Sequence, residues 1–340
     1  MQRGGGAALP FIEGEDRMYR SSYRVGTWIM ASLAVVLAFP ALAQAQSSKP
    51  TVVTSSATQI APQSARLTGK VTPNGAQTSY RFEYGTTMFY GSNTAPAIAG
   101  SGNAAATVTA DLPGLAPATV YHFRLVARNR NGTVIGGDRK FKTRSVPLGL
   151  TLAAAPNPVP FGQPTVLVGT LTGTGNANRQ ILLQSTPFPY TQPFQPTANV
   201  QLTNAQGQFV FPLLPVPLNT QYRAVIPSRP EVASPIVSLG VAARVATYTS
   251  ARRVHTGHAV RFFGTVRPAR PGARFAIQRQ RRGIWRTVSG GVTHGAGGGV
   301  SRYSKRLRIR RGGLYRVFVQ ITDGSLASKA GRTVRIKRVF

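Results

Sequence analysis

Acidic residues and histidines are the side chains that most often support acid–base or metal chemistry, and this sequence has few of them. The 340 residues include eight Asp and Glu, four His and no Cys. Three acids precede residue 17, and the remaining carboxylates are scattered: Glu83, Asp111, Asp138, Glu231 and Asp323. Hydrolytic and metal sites need several such groups to converge in one place. The composition therefore argues against an enzyme, a metal site and a cofactor site.

The histidines form no recognisable motif with an acid. His122 alternates with apolar residues, which predicts a position on the solvent side of a strand. His255 and His258 are three residues apart, a spacing that puts them on opposite faces of a strand, and His294 is predicted to lie in a glycine-rich loop. Glu83 is the best-placed carboxylate, and we expect it to pair with an arginine across a strand. No Gly-x-Ser-x-Gly, phosphate-loop or His-Glu-x-x-His motif occurs.

Basic residues are abundant and unevenly distributed. The chain has 41 Lys and Arg, and its formal net charge is +33. Residues 246–340 hold 22 basic residues and one acid, whereas 47–145 has 11 against three and 146–245 has four against one. Two interpretations are open: a surface that binds anions, or a solvated surface shaped by genomic base composition. The low charge of 146–245, encoded by the same genome, favours the first.

Many of the basic residues in 246–340 alternate with apolar ones. One row runs through 302–310, where Tyr303, Leu307 and Ile309 have the opposite parity, and a shorter row occupies 335–337. Arginines on both sides of Trp285 predict a basic hairpin. On strands, such alternation places charged side chains on a solvated face that attracts polyanions in a salt-sensitive manner. The residues predicted to bind polyanions are Arg279, Arg281, Arg282, Arg286, Arg302, Arg306, Arg308, Arg310, Arg335 and Lys337.

These side chains need strands to position them, and the sequence is patterned for strands. Short alternating runs are separated by Gly, Pro, Asn and Ser, and no apolar pattern at helical spacing is sustained. In 80–84, the aromatic Tyr80, Phe82 and Tyr84 share one face, while Arg81 and Glu83 share the other. The predicted fold class is all-β, with three tandem β-sandwich modules after a signal peptide.

Residues 51–143 resemble a fibronectin type III domain of the kind found in secreted bacterial proteins. The resemblance rests on 64–69 (SARLTG), 71–75 (VTPNG), 82–87 (FEYGTT), 115–121 (LAPATVY), 127–129 (ARN) and 141–143 (FKT). In that family the tyrosine matching Tyr121 forms a corner, in which its hydroxyl bonds to the loop between two strands. The Arg-Gly-Asp motif of some members is absent, so integrin-type adhesion is not implied.

The remainder of the chain contains one repeat. Gly162 and Gly169 match Gly257 and Gly264 at an offset of 95, and QYRAV at 221–225 matches LYRVF at 314–318 at an offset of 93. A preserved offset indicates tandem domains of immunoglobulin size, and both resemble bacterial immunoglobulin-like domains. We predict a fibronectin type III-like first module (47–145), an immunoglobulin-like second module (146–245) and a basic immunoglobulin-like third module (246–340), joined by short linkers.

Residues 1–46 are interpreted as an upstream extension and a signal peptide. Arg20 and Arg24 precede an apolar run over 28–43, and small residues suited to cleavage follow near Ala43 or Ala45. Met18 is a plausible start, and the choice between Met1 and Met18 stays open. No later segment has the length and apolarity of a membrane span. The mature protein is expected to be extracellular or associated with the cell surface.

The sequence thus predicts a non-catalytic secreted protein of the cell envelope or matrix. Its third module is expected to bind anionic cell-envelope polymers or acidic polysaccharide non-specifically; no motif for sequence-specific nucleic-acid binding is present. The alternative is an accessory carbohydrate-binding protein of an extracellular enzyme system. A third hypothesis, hydrolase activity dependent on Glu83 or Asp138, is disfavoured because no segment remains to house a catalytic domain. The ligand and the oligomeric state stay open.

Overall fold

The structure of the chain, a computed structural model, describes residues 46–339. These residues form β-strands joined by turns and loops, with no helix among them, so the predicted all-β class is confirmed. Accordingly, the described part of the chain contains no helix able to cross a bilayer. The predicted signal peptide and its cleavage positions lie outside the described residues.

The first module has two antiparallel sheets packed face to face. Its strands are β1 (Thr51–Thr54), β2 (Ser64–Thr72), β3 (Thr78–Gly85), β4 (Ser92–Asn93), β5 (Ala97–Gly100), β6 (Ala106–Pro113), β7 (Val120–Asn129), β8 (Gly132–Ile135) and β9 (Arg139–Lys142). One sheet has the order β1-β2-β6, and the other has the order β4-β3-β7-β8, with β5 also paired to β3 and β9 to β7. Alternate residues of both sheets form the core, which includes the fully buried Phe82 and Phe123.

Tyr121 shows the predicted corner. Its ring is buried and stacks on Phe141 with the ring centroids 5.7 Å apart. Its hydroxyl accepts a hydrogen bond from the Ala116 backbone N–H at 2.9 Å, in the loop between β6 and β7. A buried hydroxyl needs such a partner, because an unsatisfied one costs about 1–3 kcal/mol. The feature implied by the resemblance is therefore confirmed in this chain.

The second module is also built from two facing sheets. Its strands are β10 (Gly149–Leu150), β11 (Ala153–Ala155), β12 (Val159–Pro160), β13 (Thr165–Thr172), β14 (Gln180–Pro187), β15 (Gln195–Leu202), β16 (Gln208–Leu213), β17 (Thr220–Ile226), β18 (Arg229–Ala233), β19 (Val237–Leu239) and β20 (Val241–Ala242). β13 pairs with β10, β11 and β16, and β17 pairs with β14, β18 and β19. The short β12 pairs with β20 in parallel.

The third module repeats this arrangement. Its strands are β21 (Arg244–Thr249), β22 (Arg253–His255), β23 (Ala259–Arg267), β24 (Arg274–Arg281), β25 (Ile284–Val292), β26 (His294–Gly295), β27 (Ser301–Arg308), β28 (Gly313–Gln320), β29 (Lys329–Ala330) and β30 (Val334–Val339). The sheet β21-β23-β27-β26 faces the sheet β22-β30-β28-β24-β25, and β22 pairs with β30 in parallel. β21 begins at Arg244, slightly ahead of the predicted boundary.

The repeated glycines occupy equivalent positions in the second and third modules. Gly162 and Gly257 both have positive φ, 75° and 83°, in the turn before β13 and β23. Gly169 and Gly264 lie at the same place within those strands, and neither has room for a Cβ atom. At Gly169 the obstacle is the Phe209 ring together with a backbone oxygen, and at Gly264 it is mainly the backbone of β21. Close packing of neighbouring strands therefore explains why the repeat retains glycine there.

A loop of the third module completes the core of the second. Leu326 lies between β28 and β29, is 2% exposed, and belongs to the second module's hydrophobic core. Ile321 packs against the cores of both modules. The backbone N–H of Asn219 donates to the carbonyl of Ser325 at 2.9 Å. The sequence predicts only a short linker, whereas the structure adds a buried joint between these modules.

Candidate polyanion interface

The longest predicted row of basic residues lies on the outer face of the sheet β21-β23-β27-β26. Arg302, Arg306 and Arg308 are exposed on β27, and they alternate with Tyr303, which is buried. Arg310 is exposed just beyond the end of this strand. Alternation on β27 therefore places these guanidinium groups in solvent, as the pattern predicts.

The predicted basic hairpin is formed by β24 and β25. Arg282 and Gly283 connect the strands with positive φ angles of 49° and 81°, the combination typical of a tight hairpin turn. Arg279 and Arg281, together with Arg286 of β25, line a groove of about 620 Å³. Arg279 also donates to the carbonyl of Gly312 at 3.0 Å.

The third group lies on the opposite sheet. Arg335 and Lys337 are exposed on β30, and they alternate with Val334 and Ile336, which are buried. β27 belongs to one sheet, whereas β30 and the β24-β25 hairpin belong to the other, where they lie on either side of β28. The alternation in the sequence correctly indicates which side chains face solvent. The structure distributes them over both faces of the sandwich instead of joining them in one surface.

Basic residues face one another across strands of the third module. In an antiparallel sheet, like charges directly opposite each other are destabilising, whereas opposite charges stabilise by about 0.2–1 kcal/mol. The registers that place two basic residues opposite each other are Arg244 with Arg267, Arg261 with Arg306, Arg279 with Arg286 and, in parallel, Arg253 with Lys337. Each pair concentrates positive charge at one place on the surface.

Few of the predicted side chains have an intramolecular partner. Among the ten, only Arg279 makes a side-chain hydrogen bond to another described residue. The ion pairs that join two described side chains all lie in the first module. Nine of the ten predicted side chains therefore have no hydrogen-bond partner among the described residues and are available to an external anion.

Trp285 packs against an arginine of its own module. It is partly buried on the outer face of the β24-β25 side, and Arg316 of β28 lies over its ring at 4.3 Å from the centroid. Arg316 also donates to Gln278 Oε1 at 2.8 Å, and burial lowers its pKa below the ordinary value. One face of this indole is thus covered within the module.

The structure adds a groove that the sequence analysis missed. Tyr248 and Phe263 pair across β21 and β23 with ring centroids 5.7 Å apart, and the Arg261 guanidinium lies 4.7 Å from the Phe263 centroid. Together with Arg302 and His294, they line a groove of about 650 Å³. Comparison of the two repeats could have indicated this groove. At the 95-residue offset, the positions equivalent to Tyr248, Phe263 and Arg261 are Ala153, Val168 and Val166 in the second module, so the aromatic pair and its arginine occur in the third module alone of the two.

Two predictions about histidines are corrected. His255 and His258 do not lie on opposite faces of a strand, since β22 ends at His255 and a turn brings the rings to 5.9 Å between centroids. The His258 N–H donates to the His255 carbonyl at 3.1 Å to close this turn. His294 is not in a loop: it begins β26 and lies opposite Arg302.

Glu83 pairs across strands as predicted. Its Oε2 accepts a hydrogen bond from Arg124 Nε at 2.8 Å, and its Oε1 accepts one from Arg81 Nη2 at 2.8 Å. Burial acts to raise the pKa of Glu83, but the hydrogen bonds and charges of the two arginines outweigh it and lower the pKa. A carboxylate held in its ionised form between two guanidinium groups is poorly suited to proton transfer near neutral pH.

His122 has an acidic partner that the sequence did not reveal. Its Nδ1 lies 2.9 Å from Asp138 Oδ2, and the Tyr90 hydroxyl donates to Asp138 Oδ1 at 3.0 Å. Burial, followed by the hydrogen bond to Asp138, raises the pKa of Tyr90. Within 46–339, no three His, Cys, Asp or Glu side chains are arranged to hold a metal ion.

Comparisons with known proteins identify no family. No protein-family model and no curated protein matches the chain. Among solved structures, the chain is similar to the sensor domain of the anti-sigma factor RsgI4 from Pseudobacteroides cellulosolvens, with 19% identity and a TM-score of 0.22 over 28% of this chain and 74% of that chain. It is also similar to the FN1–FN3 domains of chicken CNTN1 (15% identity, TM-score 0.27, 86% and 100% covered) and to the ICAM-5 D1–D4 fragment (15%, 0.32, 85% and 76%). At such scores, none of these similarities supports a functional assignment.

Proposed function

We propose that this chain is a non-catalytic extracellular interaction protein whose third module attaches it to anionic polymers. The first and second modules then act as spacer and interaction units. The observation that carries the proposal is the register of the third module, where basic side chains oppose one another across strands. An anion bound between two such side chains converts repulsion into attraction.

The composition and the partners of these side chains support the same function. Residues 246–340 have 22 basic residues and one acid. That acid, Asp323, accepts hydrogen bonds from the Ser325 N–H and hydroxyl at 2.9 and 2.7 Å, at the joint with the second module. The guanidinium fork pairs bidentately with phosphate and with carboxylate groups. Because the cations occupy both sheets, the proposed binding is multivalent and sensitive to salt, without a single pocket.

The test compares two variants that lose the same charge. In the first, four exposed residues of the third module are changed to Gln: Arg281, Arg282, Arg306 and Arg308. In the control, four exposed residues of the first module are changed to Gln: Arg128, Arg139, Lys140 and Lys142. Binding of the mature chain to a heparin column and to double-stranded DNA is measured in rising salt.

The third-module variant is expected to elute from heparin at clearly lower salt than the control. For DNA, the slope of log K against log salt should fall in magnitude by about 3–4 if all four side chains contact phosphates. Equal shifts in the two variants would show that only the total charge matters, and the proposed attachment role of the third module would then be wrong.

A further inference from the structure

The groove between Tyr248 and Arg302 combines features that are separated elsewhere on the third module. Its floor is the pair of rings contributed by Tyr248 and Phe263, and Tyr248 is 57% exposed. Thr265 and Ser304 add hydroxyl groups to the lining. An apolar surface with a few convergent polar groups is the usual composition of a small-ligand site, and about 650 Å³ is within the usual size range.

Two arginines frame this floor in different ways. Arg261 lies over Phe263, which restrains both side chains and leaves the ring of Tyr248 as the accessible platform. Arg302 lines the groove from β27 and opposes Thr265 in register, with no partner of its own among the described side chains. The guanidinium group of Arg302 therefore lies beside the exposed Tyr248 ring and is available to a ligand. An anionic group bound to Arg302 can place a ring of the same ligand over Tyr248.

We propose that this groove is a subsite for an acidic saccharide, in which a sugar ring stacks on Tyr248 while its carboxylate pairs with Arg302. This proposal rests on the proposed function, and it specifies the class of ligand that one surface of the third module binds. Sugar C–H groups carry a partial positive charge, and the face of an aromatic ring is negative, so the two attract. The hydroxyl groups of Ser304 and Thr265 suit the polar edge of a sugar.

The arrangement favours a saccharide over single-stranded nucleic acid. Proteins that bind single strands usually present successive aromatic side chains on which neighbouring bases stack. In this groove one ring of the aromatic pair is already covered by Arg261, so a single stacking position remains. The Tyr248 ring beside the Arg302 guanidinium group suits one sugar unit that carries one carboxylate. Arg306 and Arg308, which lie outside the groove, can bind further carboxylates of the same polymer.

The experiment distinguishes the contribution of stacking on Tyr248 to ligand binding from the contribution of charge attraction. Binding of the mature chain to a galacturonic acid tetramer, to a polyphosphate of similar charge and to a thymidine oligonucleotide is measured at one low salt concentration. Tyr248→Ala is compared with Tyr248→Phe, which keeps the ring. Arg302→Gln is compared with Arg306→Gln, which removes the same charge outside the groove.

Tyr248→Ala is expected to weaken galacturonate binding about five- to tenfold, with Tyr248→Phe close to the parent and polyphosphate binding unchanged in both. Arg302→Gln should weaken galacturonate binding more than Arg306→Gln does. If Tyr248→Ala leaves galacturonate binding intact, or weakens only the thymidine oligonucleotide, the saccharide subsite is wrong while charge-based attachment stands. If the parent chain binds neither galacturonate nor polyphosphate, the proposed function itself fails.

Discussion

The first and third modules place charge on the same kind of sheet in opposite ways. In the first module, Glu83 opposes Arg124 and Arg66 opposes Asp111 across neighbouring strands. In the third module, a basic residue on one strand is opposed by a second basic residue on the next strand. Arg261, for example, lies opposite Arg306. The first module therefore pairs two of its acids with arginines across strands, whereas the third places basic residues opposite one another, an arrangement that we propose serves an anionic partner. Register, more than the number of charges, distinguishes a surface of paired opposite charges from a surface of opposed like charges.

The interiors differ as well. The first module holds the ionised Glu83 in a partly buried network of arginines. The third module buries the neutral phenol of Tyr303, whose hydroxyl lies 2.8 Å from Thr247 Oγ1 and donates to the Ala246 carbonyl at 2.9 Å. Acid and alkali should therefore affect the two modules through different groups.

The largest expected effect is the loss of third-module stability in alkali. Burial raises the pKa of Tyr303 from 10.0 to about 12. The neutral phenol is the favoured form in the folded state, so this contribution is present below pH 10 and is lost as the pH rises through 10 towards 12. A shift of this size corresponds to about 2–3 kcal/mol. Denaturant unfolding of the mature chain, measured across this pH range, should show this loss of stability.

The control for this prediction is Tyr303→Phe, which cannot ionise at that position. At pH 8 the variant should be less stable than the parent by about 1 kcal/mol, because it lacks the Tyr303 hydroxyl and the hydrogen bonds that this group makes. The difference from the parent should shrink and then reverse above pH 11. Parallel pH profiles for the two proteins would contradict the assignment. Tyr222 of the second module, with a pKa of about 12 as a result of burial, remains in both proteins.

A smaller effect is expected when the first module's central acid is removed. Glu83→Gln leaves Arg81 and Arg124 without their counter-charge on a partly buried face, and should reduce the free energy of unfolding by about 1–2 kcal/mol. Because the pKa of Glu83 is lowered, its contribution is present above the ordinary value of 4.5 and is lost as the pH falls through the lowered pKa.

Asp111→Asn provides the matched comparison, since it breaks the pair with Arg66 on an exposed part of the same module. Its effect should be much smaller, as is usual for exposed ion pairs. Thermal unfolding at pH 7 and pH 3.5 measures both variants. If Glu83→Gln is no more destabilising than Asp111→Asn, the neutralised network does not stabilise the first module.

The smallest expected effect is a gain in stability when a like-charge pair is converted to an opposite-charge pair. Arg306→Glu places a carboxylate opposite Arg261 and should stabilise the third module by about 0.5–1 kcal/mol at low salt. Lys305→Glu makes the same change in net charge beside it, but opposes Phe262 instead. An equal gain from both variants, or a gain that persists in 1 M salt, would show that register is not the cause.

Several features of the fold could be predicted because they depend on local patterns. Alternation identified the buried faces around Phe82 and Phe123, and the family resemblance implied the hydrogen bond of Tyr121. The repeat located Gly169 and Gly264, where close strand packing leaves no space for a side chain. Parity also showed which arginines of β27 and β30 face solvent. The predicted module boundaries and the export signal stay predictions.

The sequence by itself determined the strand class, the side of each strand that meets solvent and the unequal charge of the modules. Only the tertiary structure decided which strands lie side by side, because pairing joins residues far apart in the chain and no local pattern encodes the partner. It thereby placed Arg306 opposite Arg261, brought Tyr248 beside Phe263 and seated Leu326 in the core of the preceding module. A binding surface requires this placement in space, which composition and periodicity cannot supply.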